Sequence, residues 1–101
     1  MGMEKTLMPW YEQHIAHYDG VQGGAAVVTG TRTPVRSVVA AYDMAAGNVA
    51  EVLGGLPHLS ETQVRAALAY YQQHPAEIEA DVKRHHRALE EFLKTAAPIA
   101  S

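Results

Sequence analysis

The chain has 101 residues, of which 48% are hydrophobic and 19% charged, and this composition indicates one folded domain and excludes intrinsic disorder. Cysteine is absent, which excludes disulfides, thiolate metal ligands and cysteine nucleophiles. Eight Lys and Arg against eleven Asp and Glu give a net charge of -3, which counts against a nucleic-acid-binding module held mainly by bulk positive charge.

The sequence shows no membrane or secretion signal. No apolar run approaches the roughly 20 residues that span a bilayer. The start carries Glu4 and Lys5 and lacks the apolar core of a signal peptide. We therefore expect a soluble cytoplasmic protein with no membrane partner, folded as a single domain over residues 1–101.

Residues 1–24 are predicted to form an N-terminal arm. Pro9 is acceptable in the first turn of a helix, and Trp10, His14 and His17 recur behind it at helical spacing. Glycine-rich breaks follow this segment. The pattern therefore predicts a short helix between Pro9 and about residue 18.

A β-hairpin is predicted over residues 25–36. Val27 and Val28 supply the β-branched side chains of a strand, and Gly30–Arg32 supplies the turn. The segment Thr33–Val35 is predicted as the returning strand or as the entry to the first core helix, because Pro34 suits an edge or a helix start.

Residues 35–74 are predicted to form a core of three helices. The first runs from about Val35 to Ala46, with Gly47 as the left-handed residue that ends it. Asn48 caps a second, short helix, with Glu51 at the third position. The order is thus a helix, a short helix and a third helix.

The third helix begins with a clear capping signal. Ser60 and Gln63 have the spacing of a capping box, in which each side chain bonds the other residue's amide. Apolar residues then recur at helical spacing to about His74. This is the best-marked helix start in the chain.

A C-terminal helix is predicted over residues 75–95, with Pro75 in its first turn. Its apolar positions step by four, three, four and three residues, which is typical of a short coiled-coil-like seam. The seam residues are Ile78, Val82, His85, Leu89 and Phe92. We predict that Ile78, Val82, Leu89 and Phe92 bind a partner, either a second copy of the chain or another protein.

The short helix, turn and longer helix over residues 49–74 fit a helix-turn-helix, whose second helix enters the major groove of DNA. Candidate contacts near the start of that helix are Ser60, Thr62, Gln63 and Arg65, and Arg65 suits a phosphate or a guanine edge. Gln63 is not free to read a base if it completes the capping box. Any three-helix domain contains such a pair, so a protein-interaction module without DNA binding stays open.

Arg32 and Arg36 lie at the hairpin turn and at the start of the first core helix. They are candidates for phosphate contacts, which add affinity without sequence specificity. The alternative is that both are solvated surface charges or pair with nearby carboxylates. The sequence leaves these two interpretations equal.

Metal binding and catalysis find little support. Six histidines are present, but no HExxH motif frames them and no carboxylate completes a ligand triad. The glycine-bordered segment 24–32 fails the P-loop pattern. We therefore expect no metal, no cofactor and no enzymatic activity, with a small histidine-based enzyme or metal protein as a weaker third hypothesis.

Three segments together resemble the domain-of-unknown-function 433 family (DUF433) of small bacterial and archaeal proteins. They are Gly23–Gly24 with Val27–Val35, then Leu56–Ser60, then Val64–Tyr71 running into His74–Ile78. The family pattern is a double-glycine and GTR hairpin, a turn after a short helix, and a helix that ends in YY and runs into HPxEI. The match covers about residues 15–79.

The resemblance implies a mainly α fold, in which a short N-terminal β-hairpin precedes a homeodomain-like three-helix core and a C-terminal helix. It also implies a homodimeric antitoxin that represses its own operon and blocks a PIN-domain ribonuclease toxin. On this chain the recognition helix would be Ser60–Gln73. The expected function is therefore a DNA-binding, antitoxin-type transcriptional regulator, and the alternative is a dimeric adaptor without DNA binding.

Overall fold

The computed structural model describes the backbone of residues 9–96 and the side chains of residues 9–94. Two short strands precede four helices in the chain. These elements are β1 (Ile15–His17), β2 (Ala26–Val28), α1 (Val35–Met44), α2 (Val49–Gly55), α3 (Glu61–Gln73) and α4 (Pro75–Ala96). The predicted mainly helical fold with a short N-terminal hairpin is confirmed. Residues 1–8 of the predicted arm lie outside the described residues.

The hairpin has a different first strand from the one predicted. β2 pairs antiparallel with β1, with Ile15 opposite Val28 and His17 opposite Ala26. The predicted returning strand contributes a single bridge between Val27 and Pro34. Pro34 has no N–H to donate, and α1 begins at the next residue. This segment is therefore too short, and lacks a donor, to form a complete set of strand hydrogen bonds.

The segment predicted as an N-terminal helix divides into two elements. Trp10–His14 forms one short 3₁₀ helix, and the chain then enters β1. Tyr11 is buried in the 3₁₀ helix and meets the Tyr70 ring edge-on, with centroids 6.2 Å apart. The helical spacing of Trp10, His14 and His17 continues through β1. Pairing with β2 and the contact between Tyr11 and Tyr70 nevertheless favour an extended chain there over a helix.

Valines form most of the core, together with Ile78, Leu59, small alanines and the rings of Tyr11 and Tyr70. α1 packs on α2, α3 and α4, and β2 closes the core beside α1. The largest fully buried side chains are Val27, Val28, Val35, Val38, Val52, Val64 and Ile78. All seven belong to strands or helices, so the secondary structure and the core specify each other.

A Schellman motif ends α1. The Gly47 N–H donates to Tyr42 O at 2.9 Å, and the Ala46 N–H donates to Asp43 O at 3.1 Å. Both residues are left-handed, with φ of 54° at Ala46 and 83° at Gly47. Gly47 is thus left-handed as predicted, and Ala46 before it is left-handed as well, which the sequence did not predict.

α2 and α3 are joined by the five residues 56–60, and α2 begins at the predicted cap. The Glu51 N–H donates to Asn48 Oδ1 at 3.2 Å, which confirms Asn48 as the N-cap. α4 has 22 residues. Its first half packs on the core through Ile78, while Leu89, Phe92 and Leu93 in its second half are exposed. No helix in the described part of the chain is both long and apolar enough to cross a membrane.

Candidate functional site

The start of α3 is fixed by the predicted capping box. The Gln63 N–H donates to Ser60 Oγ at 3.1 Å, and the Ser60 N–H donates to Gln63 Oε1 at 2.7 Å. Both side chains therefore satisfy backbone groups of the helix. The Gln63 carbonyl is committed to this cap, which weakens the prediction that Gln63 reads a base.

Arg65 is exposed on the first turns of α3 and forms an ion pair within its own helix. Its Nε lies 2.7 Å from Glu61 Oε2, and both side chains are more than half exposed. Such an exposed pair contributes little stability and leaves Arg65 accessible. Thr62 is exposed beside it. This end of α3 thus presents one cation and one anion to solvent.

The turn that carries Arg32 lies beside the connection that precedes α3. Thr33 Oγ1 and His58 Nε2 are 2.7 Å apart, so the two segments touch. The turn itself is tight, since the Thr31 hydroxyl donates to Val28 O at 2.8 Å and accepts from the Thr33 N–H at 3.0 Å. Arg32 is exposed on it. The structure therefore brings Arg32 toward the start of α3.

Arg36 points to another part of the molecule. Its Nη2 donates to Gln22 Oε1 at 3.0 Å and lies 3.4 Å from His85 Nδ1 on α4. The six residues predicted as DNA contacts therefore do not form one cluster. Arg36 is part of α1 and contacts α4, whereas the other five residues lie on α3 or beside the connection that leads to it.

A groove of about 350 Å³ runs between α1 and α3. Arg65, Asp43 and Gln72 are its polar lining residues, and half-buried apolar and aromatic side chains line the rest. These are Val39, Tyr42, Leu68, Ala69 and Tyr71. This groove was not predicted from the sequence, because it forms only where two separate helices pack against each other.

The residues predicted to bind a partner divide along α4. Ile78 is 1% exposed and belongs to the core of its own chain, so it is not available to a partner. Val82 is half-buried. Leu89 is 47% and Phe92 66% exposed, and Leu93 lies beside them at 55%. The candidate partner surface is therefore Leu89, Phe92 and Leu93, which we call the distal stripe.

A polar network that the sequence analysis did not predict joins the arm to the junction of α3 and α4. Glu77 Oε1 accepts from the Tyr70 hydroxyl at 2.7 Å, and Glu77 Oε2 lies 2.7 Å from His17 Nε2. The Tyr70 and His74 rings lie 4.4 Å apart. His17 and Glu77 are 60 positions apart, and no local spacing marks such a pair.

The network sets the ionisation of its members. Burial, then the hydrogen bond to Glu77, raises the pKa of Tyr70 well above its usual value, so the hydroxyl keeps its proton. Burial acts to raise the pKa of Glu77, but the hydrogen bonds with His17 and Tyr70 and the charges of His17 and His74 outweigh it. The pKa of Glu77 is therefore lowered, and the carboxylate stays charged.

Metal-ligand geometry is lacking within residues 9–94. No three His, Asp or Glu side chains in that range are grouped closely enough to hold an ion. His17 and His74 each face a glutamate, with His74 Nε2 4.0 Å from Glu12 Oε2. Among the described residues, His17 and His74 thus belong to the polar network.

Comparison with known proteins gives a family but no activity. The family model described as "Protein of unknown function (DUF433)" matches residues 15–71. The crystal structure of a DUF433 member protein from Anabaena variabilis is similar, with a TM-score of 0.61 and 29% identity over 80% of this chain and 90% of that one. No curated protein matches. The chain therefore belongs to the DUF433 family.

Proposed function

We propose that this protein is a DNA-binding, antitoxin-type transcriptional regulator that acts as a dimer. The observation that carries the proposal is the start of α3, where the capping box fixes the helix and leaves Thr62 and Arg65 exposed. In a helix-turn-helix these are the positions that meet base edges. Arg32, on the turn beside the α2–α3 connection, would hold a phosphate.

The second half of the proposal concerns the partner. The distal stripe leaves three large apolar side chains exposed on a helix whose other side carries charged residues. Adjacent exposed apolar side chains mark sites of protein association. This stripe is the surface that the second subunit or a PIN-domain toxin would cover, and the resemblance stated above supplies that toxin class.

One observation favours the adaptor without DNA binding as a second candidate. Glu61 lies 2.7 Å from Arg65, so an anion stands next to the cation that would contact DNA. Phosphates repel that carboxylate as they attract Arg65. The adaptor has the same fold and the same distal stripe, but it shows no salt-dependent affinity for DNA.

Fluorescence anisotropy against labelled duplexes tiled across the gene's own promoter tests the proposal at two salt concentrations. We expect one tile to bind tightly, with an affinity that falls steeply with salt. Arg65→Ala should raise the Kd for that tile by about tenfold, which is within the range expected for the loss of one base contact. Arg87→Ala is the matched control, since Arg87 is an exposed arginine on α4.

The outcomes separate the two candidates. The regulator is supported if wild type and Arg87→Ala bind one tile with equal affinity and Arg65→Ala binds the same tile more weakly. Uniformly weak binding to every tile, with no effect of Arg65→Ala, rejects DNA recognition by this chain alone and leaves the adaptor.

A further inference from the structure

A cavity of about 330 Å³ lies between the glycine turn before β2, the first turn of α1 and the middle of α4. Its ionisable lining residues are Arg36, Asp81, Arg84 and His85. None of its lining residues comes from α2 or α3, so the cavity is separate from the proposed DNA-reading surface. The inference drawn from it does not depend on the proposed function.

Arg36 is a half-buried cation whose partners in the cavity are neutral groups. Its Nη2 donates to the Gln22 side-chain oxygen at 3.0 Å and lies 3.4 Å from His85 Nδ1. Among the described residues no carboxylate forms an ion pair with it. A guanidinium removed from water without a counter-charge is unfavourable, and a bound anion would correct this.

The one acid in the cavity is already paired. The side chain of Asp81 is only 3% exposed, and its Oδ1 accepts from Arg84 Nη2. Burial, then the positive charge of Arg84, lowers the pKa of Arg36, as expected for a cation with another cation nearby. The two arginines and one aspartate leave the cavity lining with a net positive charge.

We propose that this cavity binds a phosphate group between Arg36 and Arg84. The two guanidinium groups come from different helices and line the same cavity. Each has five N–H donors, and the contacts of Arg36 Nη2 with Gln22 and of Arg84 Nη2 with Asp81 use only part of them. A phosphate, with several acceptor oxygens and up to two negative charges, satisfies both guanidinium groups better than a singly charged carboxylate does. When His85 Nδ1 accepts from Arg36, the proton of the neutral ring is on Nε2 and adds a donor.

The test is a titration of the full chain with inorganic phosphate, followed by amide shifts in ¹H–¹⁵N spectra at constant ionic strength. We expect saturable shifts confined to residues 22–25, to Arg36 and its neighbours in the first turn of α1, and to residues 81–88. Arg36→Gln should raise the Kd by about tenfold, the loss expected for one charge-assisted contact. Arg87→Gln, on α4 with Arg84 but outside the cavity, should leave the Kd unchanged. His85→Ala, at an exposed position, gives a second test if Arg36→Gln does not fold.

Competition then identifies the source of the phosphate. Displacement of inorganic phosphate by duplex DNA assigns the cavity to a DNA backbone phosphate, and displacement by glycerol 3-phosphate assigns it to a small phosphate ester. Either result supports the site. Shifts that do not saturate, a Kd that neither Arg36→Gln nor His85→Ala changes, or failure of both competitors would overturn the proposal.

Discussion

The Tyr70 hydroxyl, near the end of α3, donates to Glu77 Oε1 in the first turn of α4 at 2.7 Å. The other oxygen of the same carboxylate meets His17 of β1 at 2.7 Å. One side chain thus joins the arm, α3 and α4. This carboxylate adds to the other contacts of the arm, which include the Tyr11–Tyr70 ring contact and the pairing of β1 with β2, so we expect it to help hold the arm in place.

The first prediction is that Glu77 makes the fold sensitive to acid. Its folded-state pKa is below the ordinary value of 4.5, so its contribution to stability is complete above that pH and is lost as pH falls through the folded pKa. Glu77→Gln should lower the free energy of unfolding by about 1 kcal/mol near pH 7, a value reduced for partial exposure. Below the folded pKa of Glu77, the free energies of unfolding of Glu77→Gln and wild type should become equal.

Urea denaturation between neutral pH and pH 3 measures this difference. Glu79→Gln is the matched control, because Glu79 accepts from the exposed Tyr71 hydroxyl at a longer distance of 3.2 Å. A constant gap between wild type and Glu77→Gln at every pH would show that the charge of Glu77 does not stabilise the fold.

The second prediction concerns the cap of α3. Ser60→Ala removes the acceptor for the Gln63 N–H and should cost about 1 kcal/mol of stability. Thr62→Ala is the control, since Thr62 is exposed on the same turn and takes no part in the capping box. Thermal unfolding compares the two variants. Equal melting temperatures for both would mean that the start of α3 is fixed by packing rather than by the capping box.

The third prediction uses the left-handed residue that ends α1. Ala46 has a φ of 54°, a conformation that costs an L-residue roughly 1 kcal/mol or more and costs glycine little. Ala46→Gly should therefore stabilise the protein by about 0.5–1 kcal/mol after the entropy of the unfolded chain is included. Ala40→Gly, at an exposed position inside α1, should destabilise it by about the same amount.

Chemical denaturation of the two glycine variants gives the signs directly. Opposite signs support the Schellman ending, whereas destabilisation by both would indicate that Ala46 is not left-handed in solution.

The caps and helices could be predicted from the sequence because their signals are local. Ser60 and Gln63 are three residues apart, and Asn48 stands directly before α2. The strand β1 could not be predicted in this way. Its three residues continue a helical spacing of aromatic and histidine side chains, and only pairing with β2 makes them extended.

The candidate sites were harder to predict, because they depend on contacts between distant parts of the chain. Arg36 and His85 are 49 positions apart, and neither has a local motif that joins them. Periodicity also cannot say what covers an apolar stripe. Ile78 and Phe92 continue one seam, yet the first lies in the core and the second is exposed.

That difference along α4 gives the last prediction. Ile78→Ala should lower the free energy of unfolding by about 2–5 kcal/mol, the usual cost of truncating a large core side chain. Phe92→Ala should change the stability of the monomer by less than about 0.5 kcal/mol, because its side chain is 66% exposed.

If the distal stripe binds a second copy, Phe92→Ala should instead shift the protein toward monomer in sedimentation velocity over a range of concentrations. Arg87→Ala, at an exposed position on the opposite face of the helix, should not. A dimer that Phe92→Ala and Leu89→Ala leave intact would place the dimer interface elsewhere on the molecule.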